Sequence, residues 1–158
     1  MRVIARPSSA TRRRLHLPDA AATEALARRA AALARPGDVI ALKGELGSGK
    51  TYFARAFIGE EEVPSPTFTL VQIYDRPQNR IWHFDLYRLE APDQAIELGI
   101  EEAFVSGISL IEWPERLGRL IPAERLEIAL GFAAAPEARD VVIVGTGRWA
   151  ALLDALAA

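Results

Sequence analysis

Eight consecutive residues carry the most chemical information in the chain: Gly44-Glu45-Leu46-Gly47-Ser48-Gly49-Lys50-Thr51. They satisfy G-x-x-x-x-G-K-[ST] at every fixed position. Glycines at these places let the backbone curl and turn its N–H groups inward, which makes a concave anion site. A helix beginning near Gly49 adds its positive N-terminal end. Lys50 would then reach the β- and γ-phosphates of a nucleotide, and the Thr51 hydroxyl would ligate Mg²⁺. Tyr52 continues the segment into the first turn of that helix.

A phosphate loop of this kind usually works with an acid at the end of a neighbouring strand that helps hold the metal. Ile108-Ser109-Leu110-Ile111 followed by Glu112 meets that description, since ligands bind at the C-terminal ends of strands in such sheets. Glu112 would contact the metal directly or through water. A second acid, Asp85, lies in His83-Phe84-Asp85-Leu86-Tyr87-Arg88. Strand alternation puts His83, Asp85 and Tyr87 on one face. Asp85 is then either a water-mediated metal ligand or the group that orients the attacking water, or part of a hydrogen-bonded structural cluster with His83 in the core. Ser65, Thr67 and Thr69 sit on a proline-stiffened segment. That segment can sense the γ-phosphate, as switch loops do, or be a rigid turn. No N-K-x-D guanine-reading sequence occurs, which favours ATP over GTP. Arg76, Arg80, Arg88 and Arg119 are candidates to stabilise transition-state charge, and a partner could supply that arginine instead.

These residues need elements to place them. The short apolar run from Asp38 to Lys43 reads as the buried strand before the loop, and Phe53, Ala54, Phe57 and Ile58 as one face of the helix after it. Upstream, Arg14–Leu17 reads as a strand, Asp19 as the cap of a helix over about 20–34, and Pro36-Gly37 as its stop. Downstream, Leu70–Tyr74 and Ile81–Tyr87 predict a hairpin around Pro77 and Asn79. A helix follows over 91–104, interrupted at Gly99. Then come the strand ending in Glu112, a short helix from Pro114 to Pro122, strands at 126–130 and 141–144, and a last helix with Trp149, Leu152, Leu153 and Leu156 on its apolar face. The alternation predicts an α/β three-layer sandwich: a mostly parallel sheet with an antiparallel hairpin portion and helices on both faces.

The chain has 158 residues, half hydrophobic and a quarter charged, with a formal net charge of −2. That suits one domain over 1–158. There is no cysteine, so a disulfide framework and a thiolate metal site are both excluded. No apolar stretch is long enough for a membrane span, and no signal peptide is legible, so the cytoplasm is the expected location. A near-neutral charge argues against an independent grip on nucleic acid. Arg12-Arg13-Arg14 and Arg28-Arg29 read as a solvated strand edge and a solvated helix face, and any link to RNA would run through a partner protein.

GELGSGKT, SPTFTL at Ser65–Leu70, HFDLYRL at His83–Leu89 and IEWPE at Ile111–Glu115, in this order, resemble the TsaE (formerly YjeE) family. The likeness runs from about Leu17 to Leu130. It implies a phosphate-loop fold, slow intrinsic ATP hydrolysis, and work with the subunits TsaD and TsaB in making threonylcarbamoyladenosine in tRNA. In that scheme TsaC makes the activated donor, TsaD performs the transfer, and the ATPase drives or resets the cycle. The resemblance maps Mg²⁺ ligation onto Thr51 and Glu112, a residue important for activity onto Asp85, and a switch-like loop onto Ser65–Thr69, Thr67 included. It also sets Thr23 near the adenine. The family loop more often reads GDLGAGKTT. Here Glu45 and Ser48 stand at positions that contribute backbone, and Tyr52 is bulkier than the family's Thr. Two other classes fit a bare phosphate loop: a small-molecule kinase, and a nucleotide-sensing interaction module. The chain has no arginine-rich lid segment of the kind such kinases use.

Overall fold

The computed structural model describes residues 10–59 and 69–158. The Glu60–Glu62 acidic run and the Ser65 and Thr67 hydroxyls of the switch-like segment lie outside the described residues.

In chain order the elements are β1 (Thr11–Leu17), α1 (Ala20–Leu33), β2 (Val39–Lys43), α2 (Lys50–Ile58), β3 (Val71–Asp75), β4 (Arg80–Asp85), α3 (Asp93–Glu97), α4 (Ile100–Ser106) and β5 (Ile108–Glu112). A 3₁₀ segment (Pro114–Leu120), β6 (Leu126–Phe132), β7 (Arg139–Gly145), a second 3₁₀ segment (Gly147–Ala151) and α5 (Leu153–Ala157) complete them. The strands form one seven-stranded sheet in the order β1-β7-β6-β2-β5-β4-β3. Its centre is parallel: β6, β2, β5 and β4 run the same way. Both flanks are antiparallel, β3 on β4 at one side and β7 and β1 at the other. The antiparallel portion is therefore larger than the single hairpin the sequence suggested, because the C-terminal β6–β7 pair and the N-terminal β1 also join in that sense.

The two innermost strands, β2 and β5, are buried on both faces along most of their length, as a sheet covered on both sides requires. Ile40, Leu42, Leu110, Leu126, Ile128 and Ile143 are buried against Leu26 and Ala30 of α1, Phe53 and Phe57 of α2, and Leu153 and Leu156 of α5. On the other face Val39, Phe84 and Ile111 pack with Ala95 of α3, Ile100 and Ala103 of α4, and Leu117. Fully burying a leucine- or phenylalanine-sized side chain contributes about 1.5–3 kcal/mol, so these two layers hold the strand ends in fixed relation.

Local signals placed the elements. Asp19 caps α1, its Oδ1 accepting the Ala22 N–H at 2.9 Å. Gly99, at φ 87°, separates α3 from α4. Arg12, Arg13 and Arg14 are exposed on β1, the sheet's edge, where charge discourages further strand pairing. Two expectations need correction. β4 stops at Asp85, not Tyr87, because Asp85 Oδ1 accepts the Tyr87 N–H at 3.2 Å and turns the chain out of the ladder. The last helix is split: Trp149 belongs to a 3₁₀ turn, and α5 begins at Leu153.

Candidate functional site

The phosphate loop connects β2 to α2 at the C-terminal edge of the parallel strands. Gly47 and Gly49 adopt left-handed φ values of 82° and 107°, conformations that other residues reach at a cost. At Gly44 space is the constraint: a Cβ would stand 2.3 Å from Ser48 Oγ and 2.6 Å from the Leu130 carbonyl of β6. Gly49 caps α2 with no side-chain hydrogen bond, so side chains leave the first-turn amides to a ligand. Ser48 is buried, and its Oγ has no hydrogen-bond partner among the described residues. Leu46 projects from the loop tip, 79% exposed.

Lys50 lies inside this loop, buried. Its Nζ donates to the carbonyls of Gly44 at 2.5 Å and Glu45 at 3.1 Å. The ammonium also sits 4.3 Å from the centre of the Trp113 ring, a cation–π contact. Burial pushes the Lys50 pKa below the ordinary lysine value, while Glu112, Asp85 and Glu115 pull it partly back. The lysine is held by its own loop in the place where phosphate oxygens could take over those hydrogen bonds.

Thr51 points to the opposite wall. Its hydroxyl donates to the Glu112 carboxylate, with Oε1 at 3.0 Å and Oε2 at 3.2 Å. Glu112 ends β5 and is buried. It is in register with Asp85 on the parallel neighbour β4. His83, wholly buried on β4, meets Glu112 Oε2 through Nε2 at 2.7 Å. Leu46, Lys50, Thr51, Asp85, Glu112 and Trp113 thus converge with Gly47, Gly49 and Tyr52 on one cavity of about 240 Å³.

The donor set suits magnesium. It consists of a hydroxyl and carboxylates, hard oxygen groups, placed beside an anion cradle. Among the described residues no group of three or more His, Cys, Asp or Glu side chains is placed to hold a metal ion alone. Magnesium typically takes one or two protein oxygens and fills the rest with phosphate and water.

A second cavity, of about 280 Å³, opens on the other side of the loop. Thr23 of α1, Ser48, Gly49, Tyr52, Glu137 and Arg139 line it, among others. Thr23 is buried, as few threonines on an exposed helix face would be. Tyr52 directs its hydroxyl to the Ala20 carbonyl of α1, 3.3 Å away, instead of into the phosphate cavity.

Two residues that sequence reasoning passed over matter here. Arg139 donates to the Ser48 carbonyl at 2.7 Å, to Pro136 at 2.8 Å and to Ala138 at 2.7 Å, tying the phosphate loop to the β6–β7 connection. No local pattern marks it, because its partner is 91 residues away. Trp113 was visible as the residue after Glu112. Its left-handed backbone, φ 59°, turns the ring onto Lys50.

The arginine candidates divide by position. Arg80 begins β4 and pairs with Asp75, roughly 17 Å along the strand from Asp85. Arg76 donates to the Ile58 carbonyl at the far end of α2. Neither faces the phosphate cavity. Arg88 follows Tyr87 in the turn after β4, and Arg119 is exposed on the 3₁₀ segment. Directly after the switch-like segment, the carbonyl of Leu70, a residue at φ 64°, accepts the Asp85 N–H at 3.0 Å, and Thr69 Oγ1 accepts from Gln72 Nε2.

A mixed α/β sheet with a glycine-rich loop between a central parallel strand and a helix, and an acid ending the adjacent strand, defines a protein of the phosphate-loop fold class. Residues 17–141 match the sequence profile of the family described as threonylcarbamoyl adenosine biosynthesis protein TsaE, and the chain belongs to that family. A tRNA threonylcarbamoyladenosine biosynthesis protein TsaE from Rickettsia bellii is 42% identical over 113 residues, 68% of this chain and 78% of its own. The protein of that name from Bacillus subtilis is 38% identical over 130 residues, 79% of this chain and 80% of its own. The crystal structure of Bacillus subtilis YdiB superposes with a TM-score of 0.75 at 29% identity, covering 92% of this chain and 93% of that one.

Proposed function

We propose that this chain binds ATP with Mg²⁺ and hydrolyses it slowly, and that it supports threonylcarbamoyladenosine modification of tRNA together with TsaD and TsaB. The observation that carries the reading is the meeting of Thr51 with Glu112 beside the enclosed Lys50 ammonium. In this reading Lys50 exchanges its loop carbonyls for the β- and γ-phosphate oxygens. Thr51 and Glu112 would hold a magnesium ion, which when bound would neutralise developing phosphate charge. Asp85 positions the attacking water from the facing strand end. Gly44 to Thr51 cradle the phosphates through backbone N–H groups, and the Thr23–Tyr52 cavity takes the base. Thr67 of the switch-like segment is a further candidate contact.

Slow turnover is part of the same proposal and depends on where a charge-stabilising arginine comes from. Arg76 and Arg80 do not line the phosphate cavity. A stabilising arginine would then come from Arg88, Arg119 or a partner subunit, and in related phosphate-loop enzymes such a group is worth about 10³–10⁵ in rate. TsaD and TsaB would contact tRNA, with this protein acting through them in the cytoplasm. No helix among the described residues is long and apolar enough to cross a membrane.

Reconstitution tests this. ATP turnover and tRNA modification are measured with the purified chain, TsaD and TsaB, and again with each omitted. Turnover should rise with the partners, and repeated rounds of modification should require the chain. Lys50→Ala should abolish tight nucleotide binding. Glu112→Gln should keep binding and lose turnover, which separates an ATPase from a nucleotide sensor. Modification that cycles equally well without the chain would refute the role.

A further inference from the structure

We propose that His83 is a positioning residue that fixes the Glu112 carboxylate for metal binding. The inference rests on the nucleotide and magnesium reading of the site.

Alternation along β4 places His83 on the face that α1 and α2 cover, and none of it reaches solvent. Its register partner on β5 is Leu110, two residues before Glu112. The imidazole therefore lies behind the carboxylate, and Nε2 stands 2.7 Å from Oε2. Nδ1 has no hydrogen-bond partner among the described residues. These two facts fix the tautomer. A buried N–H without an acceptor keeps its full desolvation penalty, and an ionised carboxylate can only accept. The proton belongs on Nε2, donated to Glu112.

Glutamate is a rotamer-rich side chain, and holding it in one geometry costs entropy. The His83 bond at Oε2 and the Thr51 hydroxyl nearest Oε1 leave it a single orientation, with Thr51 and Glu112 on the cavity wall and His83 buried behind it. Supporting hydrogen bonds of this kind typically change metal affinity by about 10–100-fold when removed. A histidine that merely filled the core would affect stability and leave metal affinity alone.

The test uses the full chain. It has two histidines, and the other, His16, is exposed and paired with Asp140, so their imidazole signals are distinguishable. Long-range ¹H–¹⁵N spectra should show His83 as the Nε2–H tautomer, and the Nε2 signal should move in Glu112→Gln. A proton on Nδ1, or an unchanged signal in the variant, overturns the proposal without any histidine variant having to fold. Mn²⁺ affinity of the ADP complex, read by electron paramagnetic resonance, should fall roughly tenfold in His83→Leu and recover in His83→Gln, whose amide can still donate. ADP affinity in EDTA should stay within about twofold across the series. Equal Mn²⁺ affinity in wild type and His83→Leu overturns the positioning role. If no protein of the series binds ADP, the nucleotide reading fails instead, while the spectra still report on the His83–Glu112 bond.

Discussion

Lys50 shows how one residue sets the pH behaviour of the site. Its ammonium is enclosed by the loop, and desolvation lowers its pKa against the pull of Glu112, Asp85 and Glu115. A bound polyphosphate adds negative charge at the ammonium and raises that pKa again. Between the free and bound pKa values, binding must take up a proton. Below the free value the lysine is charged in both states and affinity is full. As pH climbs from the free value to the bound one, affinity falls. Calorimetry of ADP binding in buffers of different ionisation enthalpy should therefore show proton uptake as pH rises toward the ordinary lysine value from below. Proton release in that window would mean that Lys50 does not meet the phosphates. Trp113 works against the same exchange, since its ring face is a competing partner for the ammonium.

At the level of elements, the Arg139 guanidinium ties the phosphate loop to the β6–β7 connection. Arg139 spans three carbonyls, a task for a rigid planar fork and not for an ammonium. Arg139→Ala should weaken ADP binding by about tenfold, the order expected when a charge-assisted hydrogen bond holding a binding loop is lost. Arg139→Lys should recover little of it. Wild-type ADP affinity in Arg139→Ala, by the same calorimetry, would show that the loop keeps its shape unaided. This link marks the boundary of what the sequence discloses. Periodicity and punctuation located β2, α2 and β5, because Val39–Leu42 is continuously apolar, Phe53 and Phe57 share a helix face, and Pro114 follows Glu112 closely. The phosphate loop and its acid were legible because their chemistry is coded in consecutive residues. The end of β4 was not, because a side-chain bond from Asp85 to the Tyr87 N–H outweighs the alternating pattern. The antiparallel flank of β7 and β1 was not either, since strand order depends on which edges meet after the chain closes. Arg139 and the His83–Glu112 contact are long-range pairings that no local spacing reveals.

Over the whole molecule the two candidate cavities share Gly47, Gly49 and Tyr52, yet their walls come from α1, the phosphate loop, β4, β5 and the β6–β7 connection. Thr23 and Arg139 stand near opposite ends of the sequence and line the same cavity. A ligand spanning both cavities would contact each helical layer's supporting strands, so its binding energy should stabilise the domain as a unit and not one loop. Mass action sets the size: ligand at a hundred times its dissociation constant adds about 2.7 kcal/mol. For a domain of this length each kcal/mol raises the midpoint by roughly 2–4 °C, so saturating Mg²⁺ and ADP should shift thermal unfolding by about 5–10 °C. Far-ultraviolet dichroism reads the helices, and tryptophan emission reads Trp82 and Trp149 in the two cores together with Trp113 at the site. Both signals should move together by the same amount in wild type, and neither should move in Lys50→Ala. A ligand that shifts only the emission transition would be ordering the neighbourhood of Trp113 alone. The site would then be energetically separate from the sheet that builds it.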